Sequence, residues 1–439
     1  MPQLLLSYYG DDLTGSTDVM EALSSRGAPT VLFMQPPTQA QLAKFSDVRA
    51  IGLAGSSRSE SPEWMEENLT TAFAWLKSLD AAVCHYKVCS TFDSSPDIGS
   101  IGRAIDIGQR VFAGEFIPLV VGAPQLRRYT AFGHLFAAYQ GQTHRIDRHP
   151  VMARHPVTPM DEADLRAHLA RQTTKRIGLV DVTALAEADV DARVDAAVAE
   201  AADIVLFDVI DAATQAAVGR QLARLSTPAR FVVGSSGVEY ALVREWMRNG
   251  VIAGDAAFTA PGAVDRIAVV SGSCSPTTAR QIRYAEAHGF VAHAVDPAHL
   301  AARSEAAIEE AIENGLASLA SGRSVILYTA LGPETDIGDL AAGGGRHAIG
   351  ASLGQIQRAL IERAALRRVV IAGGDTSSHA LRQLGIYALT MRLPLPSTPG
   401  SPLCLAHSDE AQFDGLEIAL KGGQVGKDDY FCRISSGAA

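Results

Sequence analysis

The chain has 439 residues, 47% hydrophobic and 20% charged, which is typical of a globular protein of two or three domains. Its net charge of −10 argues against a nucleic-acid-binding protein, which usually carries a basic face. No apolar run is long enough to span a bilayer, and no signal peptide is recognisable. Five scattered cysteines, an odd number, favour a reducing compartment over a disulfide framework, so we expect a cytoplasmic protein.

The most informative stretch lies near the start of the chain and runs from Tyr9 to Asp18. It follows a short apolar run and precedes an apolar-periodic segment, so it predicts a strand, a tight turn and a helix. In open α/β sheets, ligands bind beyond the carboxyl ends of the strands. The adjacent carboxylates of Asp11 and Asp12 lie at such a point, but acidic residues also cap helices. The local sequence leaves both interpretations open.

Apolar, β-rich runs alternate with helical patterns through most of the chain, which predicts an α/β fold. We expect two domains, each with a mostly parallel sheet flanked by helices, and an active site in the cleft between them. Residues 1–250 form the predicted substrate domain, 251–262 the linker and 263–439 the nucleotide domain. Residues 133–159 carry four histidines and three prolines, and they predict a long irregular loop.

Polar residues follow several predicted strands in the first half. An isolated arginine is usually a solvated surface residue. Arg58, however, lies among serines just past a predicted strand end, where its guanidinium is a better candidate for binding an anion. Lys87 interrupts an apolar strand pattern, and lysine is rarely buried without a partner. Short hydroxyl and carboxyl groups nearby suit a polyol. The predicted substrate-binding residues are Thr14, Arg58, Lys87, Ser90, Thr91 and Asp93.

Glycine- and hydroxyl-rich turns follow the predicted strands of the second half. Such turns expose backbone N–H groups, and helix N-termini favour phosphate, so several turns in one domain predict a nucleotide site. Neither a Walker A loop nor a dinucleotide fingerprint is present, and the metal ligands are left open. The predicted nucleotide-binding residues are Ser271, Ser273, Ser275, Gly332, Gly373, Gly374, Asp375, Thr376, Gly422 and Gly423.

The chain resembles the four-carbon acid sugar kinase family across nearly its whole length. The resemblance rests on the order and spacing of six short motifs rather than on any one of them. The motifs are Gly10-Asp-Asp-Leu-Thr-Gly-Ser-Thr-Asp18, Lys87-Val-Cys-Ser-Thr-Phe-Asp-Ser-Ser95, His155-Pro-Val-Thr-Pro-Met160, Ser271-Gly-Ser-Cys-Ser275, Gly373-Gly-Asp-Thr376 and Leu420-Lys-Gly-Gly423.

The resemblance implies that the first domain binds an acid sugar and the second binds ATP, with Mg²⁺, for phosphoryl transfer to the terminal hydroxyl. Because such transfer depends on positioning and charge, we assign Asp12 as the base, with Asp11 as its substitute. Arg58 and Lys87 are assigned to the substrate carboxylate or oxo group. The partners expected are the acid sugar and ATP, with a homodimer left open.

The second motif departs from the K-x-D-S-T-L-R-G-N form of many family members. This departure resembles the branch that acts on 3-oxo acids, and the residues that follow favour 3-oxo-isoapionate over 3-oxo-tetronate. A plain tetronate such as threonate or erythronate is the alternative substrate. A non-catalytic sugar-acid sensor is the alternative of another class. A sugar-acid dehydrogenase is disfavoured because the sequence has no dinucleotide fingerprint, and an aldolase-type enzyme is disfavoured because it has no metal-binding cluster.

Overall fold

The computed structural model describes residues 3–187, 189–200, 202–332 and 345–438. The chain divides into two compact units, Met1–Ala256 and Ala257–Ala439. Both units combine buried strands with helices, as the alternation of the sequence predicts.

The strands of the first unit's main sheet are parallel, in the order β2-β3-β1-β4-β11-β5-β10-β9. Most of them are buried along their whole length, which explains why they are apolar throughout rather than alternating. They are β1 (Leu6–Gly10), β2 (Thr30–Phe33), β3 (Ala50–Ala54), β4 (Val83–Lys87), β5 (Ile117–Val120), β9 (Ile177–Val180), β10 (Ile204–Phe207) and β11 (Phe231–Gly234).

Helices connect these strands and pack on the sheet and on one another. In particular, the third helix packs on the fourth, and the eighth packs on both the first and the seventh. The helices are α1 (Leu13–Ser24), α2 (Gln39–Ala43), α3 (Pro62–Ser78), α4 (Ile101–Phe112), α5 (Leu165–Leu169), α6 (Val190–Ala199), α7 (Ala212–Arg224) and α8 (Gly237–Arg248).

The Tyr8 side chain fixes β1, β3 and α1 relative to one another. Its ring lies over Gly52 of β3, where a Cβ would be only 2.1 Å from the ring carbon Cζ. Its hydroxyl donates a 2.9 Å hydrogen bond to the carbonyl oxygen of Ser16 in α1. The buried Tyr8 side chain therefore stabilises the turn between β1 and α1.

The prediction of an irregular loop over residues 133–159 is wrong for its first part. Strands β6 (Arg128–Ala131), β7 (His134–Tyr139) and β8 (Gln142–Arg145) form an antiparallel sheet. In β7, Leu135 and Ala137 are fully buried, and they alternate with partly exposed residues. This period-2 pattern has the ordinary form of a half-buried strand. The pattern is hidden in the sequence because two of the partly exposed positions, Phe136 and Ala138, are apolar as well.

The second unit has a parallel group of strands, in the order β13-β14-β12-β15-β18, extended by antiparallel β17 and β16. The strands are β12 (Ala268–Ser271), β13 (Val291–Ala294), β14 (Val325–Tyr328), β15 (Arg368–Ala372), β16 (Ile386–Leu393), β17 (Leu403–Ser408) and β18 (Glu417–Lys421). The helices are α9 (Pro276–Ala287), α10 (Pro297–Ala301), α11 (Glu305–Ala320), α12 (Gly345–Ala364), α13 (Gly374–Gln383) and α14 (Tyr430–Ser436).

The predicted α/β class with mostly parallel strands is confirmed, whereas the predicted interdomain cleft and the domain limits stay predictions. All five cysteines are free thiols. Within the described ranges, no helix has the length and apolarity needed to cross a bilayer.

Arg368 is the largest fully buried side chain of the second unit. Its Nε and Nη2 atoms contact Glu417 Oε2 at 2.7 and 2.6 Å. Its Nη1 atom donates to the carbonyl oxygens of Gly262, Ile434 and Ser435 at 2.8–3.2 Å. One guanidinium therefore joins β15, β18, the segment before β12 and the last helix.

We expect Arg368→Met to lower the free energy of unfolding by about 2–4 kcal/mol, because several buried acceptors lose their donor. Denaturant titration followed by circular dichroism measures this loss. Arg363→Met is the matched control, since Arg363 forms an ion pair with Glu309 in which both side chains are about half exposed. That change should cost much less, because exposed ion pairs contribute little to stability. Equal losses in the two variants would contradict the stabilising role assigned to Arg368.

Candidate active site

Three neighbouring strands bring the predicted substrate residues to one edge of the first sheet. β1 lies between β3 and β4, and Gly10 is in register with Ala54 and Lys87. The segments that follow these strands carry Asp11, Asp12, Arg58, Thr91 and Asp93. Their carboxyl, guanidinium and hydroxyl groups therefore meet beyond the carboxyl ends of parallel strands, where open α/β sheets bind ligands.

Asp12 both caps a helix and takes part in the polar cluster. It is the N-cap of α1, where its Oδ1 atom accepts a 2.5 Å hydrogen bond from the Gly15 N–H. Its Oδ2 atom lies 3.0 Å from Arg58 Nη1. About a third of its side chain is exposed (32%), so the carboxylate can reach a ligand. Asp12 is therefore a helix cap, as one of the two interpretations holds, and its contact with a ligand stays a prediction.

Arg58 bridges two carboxylates. While Nη1 bonds to Asp12, Nη2 lies 2.9 and 3.1 Å from the two carboxylate oxygens of Asp93. Asp93 also accepts from the hydroxyls of Thr91 and Thr158, at 2.5 and 3.2 Å. Burial opposes its ionisation, but Arg58 and Thr91 outweigh burial and lower the pKa of Asp93. Asp93 is therefore charged at neutral pH and holds the guanidinium in place.

Asp11 lies beneath Asp12 and is almost fully buried. Burial, followed by the charge of Asp12, raises the pKa of Asp11 to about 7. Its Oδ1 atom is shielded from solvent and has no hydrogen-bond partner in the described part of the chain. Its backbone is fixed instead, because its N–H donates to the Lys87 carbonyl (2.9 Å) and its carbonyl accepts from the Arg58 N–H (3.1 Å). The cluster therefore contains a carboxyl group that is partly protonated near neutral pH.

Lys87 is buried among carboxylates, as its position in an apolar strand indicated. Its Nζ atom lies 3.7 Å from Asp18 Oδ2. Burial alone would lower the pKa of Lys87, but Asp18, Asp11 and Asp12 raise it overall. Gly15 makes room for this ammonium, since a Cβ at position 15 would lie 3.0 Å from Nζ. The two other predicted substrate residues, Thr14 and Ser90, are partly exposed at the same edge.

Three polar residues of the cluster were missed as site residues by the sequence reasoning. Asp18 lies within the first family motif and binds both Lys87 and the Ser236 hydroxyl. Thr158 lies within a motif that was also quoted, and it contacts Asp93. Ser236 follows β11, the neighbour of β4. The motif membership of Asp18 and Thr158 was an available clue, whereas Ser236 is joined to Asp18 only through the fold.

The predicted nucleotide turns of the second unit also come together. β15 lies between β12 and β18, so the turns after these three strands are adjacent. A Cβ at Gly272 would lie 2.3 Å from Thr376 Oγ1, and a Cβ at Gly423 would lie 3.2 Å from Ser273 Oγ. Ser275 caps α9 by accepting from the Thr277 N–H at 3.2 Å. Glycines are needed at these positions because the turns approach one another so closely.

The turn after β15 begins α13 without a side-chain cap. Gly373 has a φ of +120°, which a residue with a side chain rarely adopts. A Cβ at Gly374 would meet no atom within 4 Å, so the start of this helix is open. The side chain of Asp375 lies outside the description. Gly332, with a φ of +115°, follows β14, and the remainder of its predicted turn falls in residues 333–344, outside the described residues.

Lys421, at the end of β18, is a buried cation bound to neutral oxygens. Its Nζ atom donates to Thr278 Oγ1 and to the carbonyl oxygens of Gly422 and Gly423, at 2.9, 2.9 and 3.2 Å. Burial lowers the pKa of Lys421 to about 7. Sequence reasoning assigned the two glycines but missed the lysine that holds their carbonyl groups.

Two family models match most of the chain. Residues 6–242 match a family model described as a sugar-binding N-terminal domain, and residues 268–431 match a nucleotide-binding C-terminal domain. The chain is 48% identical to a 3-oxo-isoapionate kinase of Paraburkholderia graminis, over 99% of this chain and 94% of that protein. It is 32% identical to a 3-oxo-tetronate kinase of Methylobacterium radiotolerans, over 98% of both chains.

Solved structures share the whole architecture. A crystal structure of a Salmonella typhimurium LT2 protein, 25% identical, has a TM-score of 0.80 and covers 98% of both chains. A Haemophilus influenzae protein, also 25% identical, has a TM-score of 0.71, with 97% of this chain and 98% of that chain covered. Fold and sites thus define a kinase with separate sugar- and nucleotide-binding domains. The chain belongs to the four-carbon acid sugar kinase family.

The raised pKa of Asp11 predicts a pH-dependent contribution to stability. Because the folded value of about 7 exceeds the value of roughly 4 in an unfolded chain, the folded state holds this proton more tightly. The contribution of Asp11 to the free energy of unfolding is therefore fully present below about pH 4 and is lost as the pH rises to about 7.

Asp11→Asn removes this dependence. Relative to the parent chain, the variant should gain about 2 kcal/mol in the free energy of unfolding between pH 5.5 and pH 8. Denaturant titrations at four pH values measure the difference, with the exposed Asp47→Asn as the control that should show none. A pH-independent difference for Asp11→Asn would contradict the assigned shift.

Proposed function

We propose that this kinase transfers the γ-phosphoryl group of ATP to the terminal hydroxyl of a 3-oxo acid sugar, with 3-oxo-isoapionate as the first candidate. The observation that carries the proposal is the 48% identity, over nearly the whole length of both chains, to a 3-oxo-isoapionate kinase. The 32% identity to a 3-oxo-tetronate kinase makes 3-oxo-tetronate the second candidate. Both names describe 3-oxo acids, which supports this class over threonate or erythronate.

Asp12 is the proposed general base. Its carboxylate is partly exposed, and its orientation is fixed by the Gly15 N–H and by Arg58. As the hydroxyl oxygen forms its bond to the γ-phosphorus, the bond from that phosphorus to the bridging oxygen of ADP breaks, and the hydroxyl proton passes to Asp12. Asp11 is less suited to this contact because its side chain is buried, although its pKa lies close to neutrality.

The turns after β12, β15 and β18 are the proposed phosphate site, where backbone N–H groups and serine hydroxyls act as donors. Within the described residues, no group of three or more histidine, cysteine or acidic side chains is arranged to hold a metal ion. Mg²⁺ would therefore arrive on the phosphates of ATP, where it supplies charge neutralisation, as it does in many kinases. A cytoplasmic location and a homodimer stay predictions.

The substrate is tested by measuring ATP consumption, in a coupled assay, with 3-oxo-isoapionate, 3-oxo-tetronates, threonate and erythronate. We expect the highest kcat/KM with a 3-oxo acid. Turnover confined to threonate or erythronate would overturn the substrate class. A thermal-shift series tests the donor, because ATP–Mg²⁺ at 100 times its Kd should stabilise the chain by about 2.7 kcal/mol, whereas NAD should not. Stabilisation by NAD alone would overturn the ATP assignment.

Asp12→Asn should lower kcat by roughly 10²–10⁴-fold, the usual contribution of a positioned general base. Asparagine caps helices as well as aspartate does, so α1 should remain intact and the KM for ATP should change less than about twofold. Steady-state kinetics with the best substrate measure both constants, and Asp47→Asn is the control. Near-normal turnover in Asp12→Asn would rule out Asp12 as the base.

A further inference from the structure

Arg128, the first residue of β6, is a half-buried guanidinium that has no acidic partner among the described residues. Its Nη1 atom donates to the carbonyl oxygens of Leu126, Arg127 and Ala138, at 3.1–3.4 Å. Its Nε atom is shielded from solvent and has no hydrogen-bond partner in the structure as described. Unpaired buried donors are uncommon in folded proteins, so this atom is a candidate for satisfaction by a ligand.

Arg49 of the same unit also has a shielded Nε atom without a described partner, whereas Arg58 and Arg166 differ from Arg128 because each binds a carboxylate. Arg58 contacts Asp12 and Asp93, and Arg166 contacts Asp164. No described carboxylate forms an ion pair with Arg128, and burial, followed by the charge of Arg128, lowers the pKa of His149.

Arg128 lies near the edge of the sheet that carries the acidic cluster. Its backbone exchanges two hydrogen bonds with Ala123, at 2.9 and 3.1 Å, and Ala123 lies three residues beyond the end of β5. Only β11 separates β5 from β4 in this parallel sheet, so the segment that follows β5 lies at the same edge as the residues that follow β4.

The charges already present at this edge leave little attraction for an anion. Four carboxyl groups, those of Asp11, Asp12, Asp18 and Asp93, surround the cations of Arg58 and Lys87. Both Nη atoms of Arg58 are occupied by carboxylates, and Lys87 lies near Asp18. An acid sugar carries a carboxylate of its own, so it needs a cation whose charge is not already neutralised.

We propose that Arg128 binds the carboxylate group of the acid sugar, a proposal that rests on the substrate class proposed above. With Nη1 occupied by carbonyl oxygens, Nε and Nη2 form the edge of the guanidinium that matches a carboxylate in two parallel hydrogen bonds, and the bond to the shielded Nε forms only when the atoms that cover it move aside. Arg58 is then left to hold Asp12 and Asp93 in position. The substrate would lie with its carboxylate towards β6 and its terminal hydroxyl towards Asp12.

The test compares the acid sugar with its neutral carboxamide in steady-state kinetics. The parent chain should favour the acid by kcat/KM. Arg128→Gln should raise the KM for the acid by about 10- to 100-fold, the loss expected for a charge-assisted pair of hydrogen bonds. The KM for ATP should change less than about twofold, and the preference for acid over carboxamide should fall by a similar factor. Arg127→Gln, at the exposed neighbouring position, is the control.

Arg128→Lys keeps the positive charge but lacks the paired N–H donors of a guanidinium, so it should recover part of the preference for the acid over the carboxamide. This variant also tests the proposal if Arg128→Gln fails to fold. An undiminished preference for the acid in a folded Arg128 variant would overturn the proposal and leave the kinase activity intact. If the parent chain itself phosphorylates no acid sugar, the proposed substrate class fails instead.

Discussion

The organisation of the sugar-binding unit depends on one guanidinium between two carboxylates. Arg58 follows β3, Asp12 follows β1 and Asp93 follows β4, so their contacts join three strand ends that are distant in sequence. The geometry is specific because a guanidinium presents its donors in a rigid plane. The cost of burying Asp93 is offset by Arg58 and two threonine hydroxyls. Arg58 is therefore best understood as the residue that orients Asp12.

The charges around Arg58 decide which protonation states the carboxyl groups of the cluster can adopt. Four carboxyl groups and two cations give the cluster a negative charge if every group is ionised. Burial and the proximity of Asp12 relieve part of it by raising the pKa of Asp11, so one carboxyl retains a proton over much of the neutral range. A negative cluster suits proton abstraction from a hydroxyl, but it repels an anionic substrate. Under the proposal made above, Arg128 supplies the cation for the substrate from outside the cluster.

The sequence predicted where the strands end more readily than which side chains pair with one another there. Apolar runs and turns identify where each strand stops, and parallel strands bring those points to one edge, so Asp11, Asp12, Arg58 and Lys87 were found. Ion pairs such as that between Lys87 and Asp18 depend on which strands are neighbours, and local patterns carry no such information. The antiparallel sheet that begins at Arg128 was missed for a second reason, since apolar residues stand at both buried and partly exposed positions of β7.

The two buried lysines show how the two units solve different binding problems. Burial would lower the pKa of Lys87, but the carboxylates around it raise that pKa overall, so Lys87 stays charged. Lys421 contacts a hydroxyl and the carbonyl oxygens of Gly422 and Gly423. Since the C=O and N–H of a peptide unit point in opposite directions, carbonyl groups held towards Lys421 turn the N–H groups of their peptide units away from it. If these turns form the proposed phosphate site, Lys421 orients their backbone donors without contacting the phosphate itself.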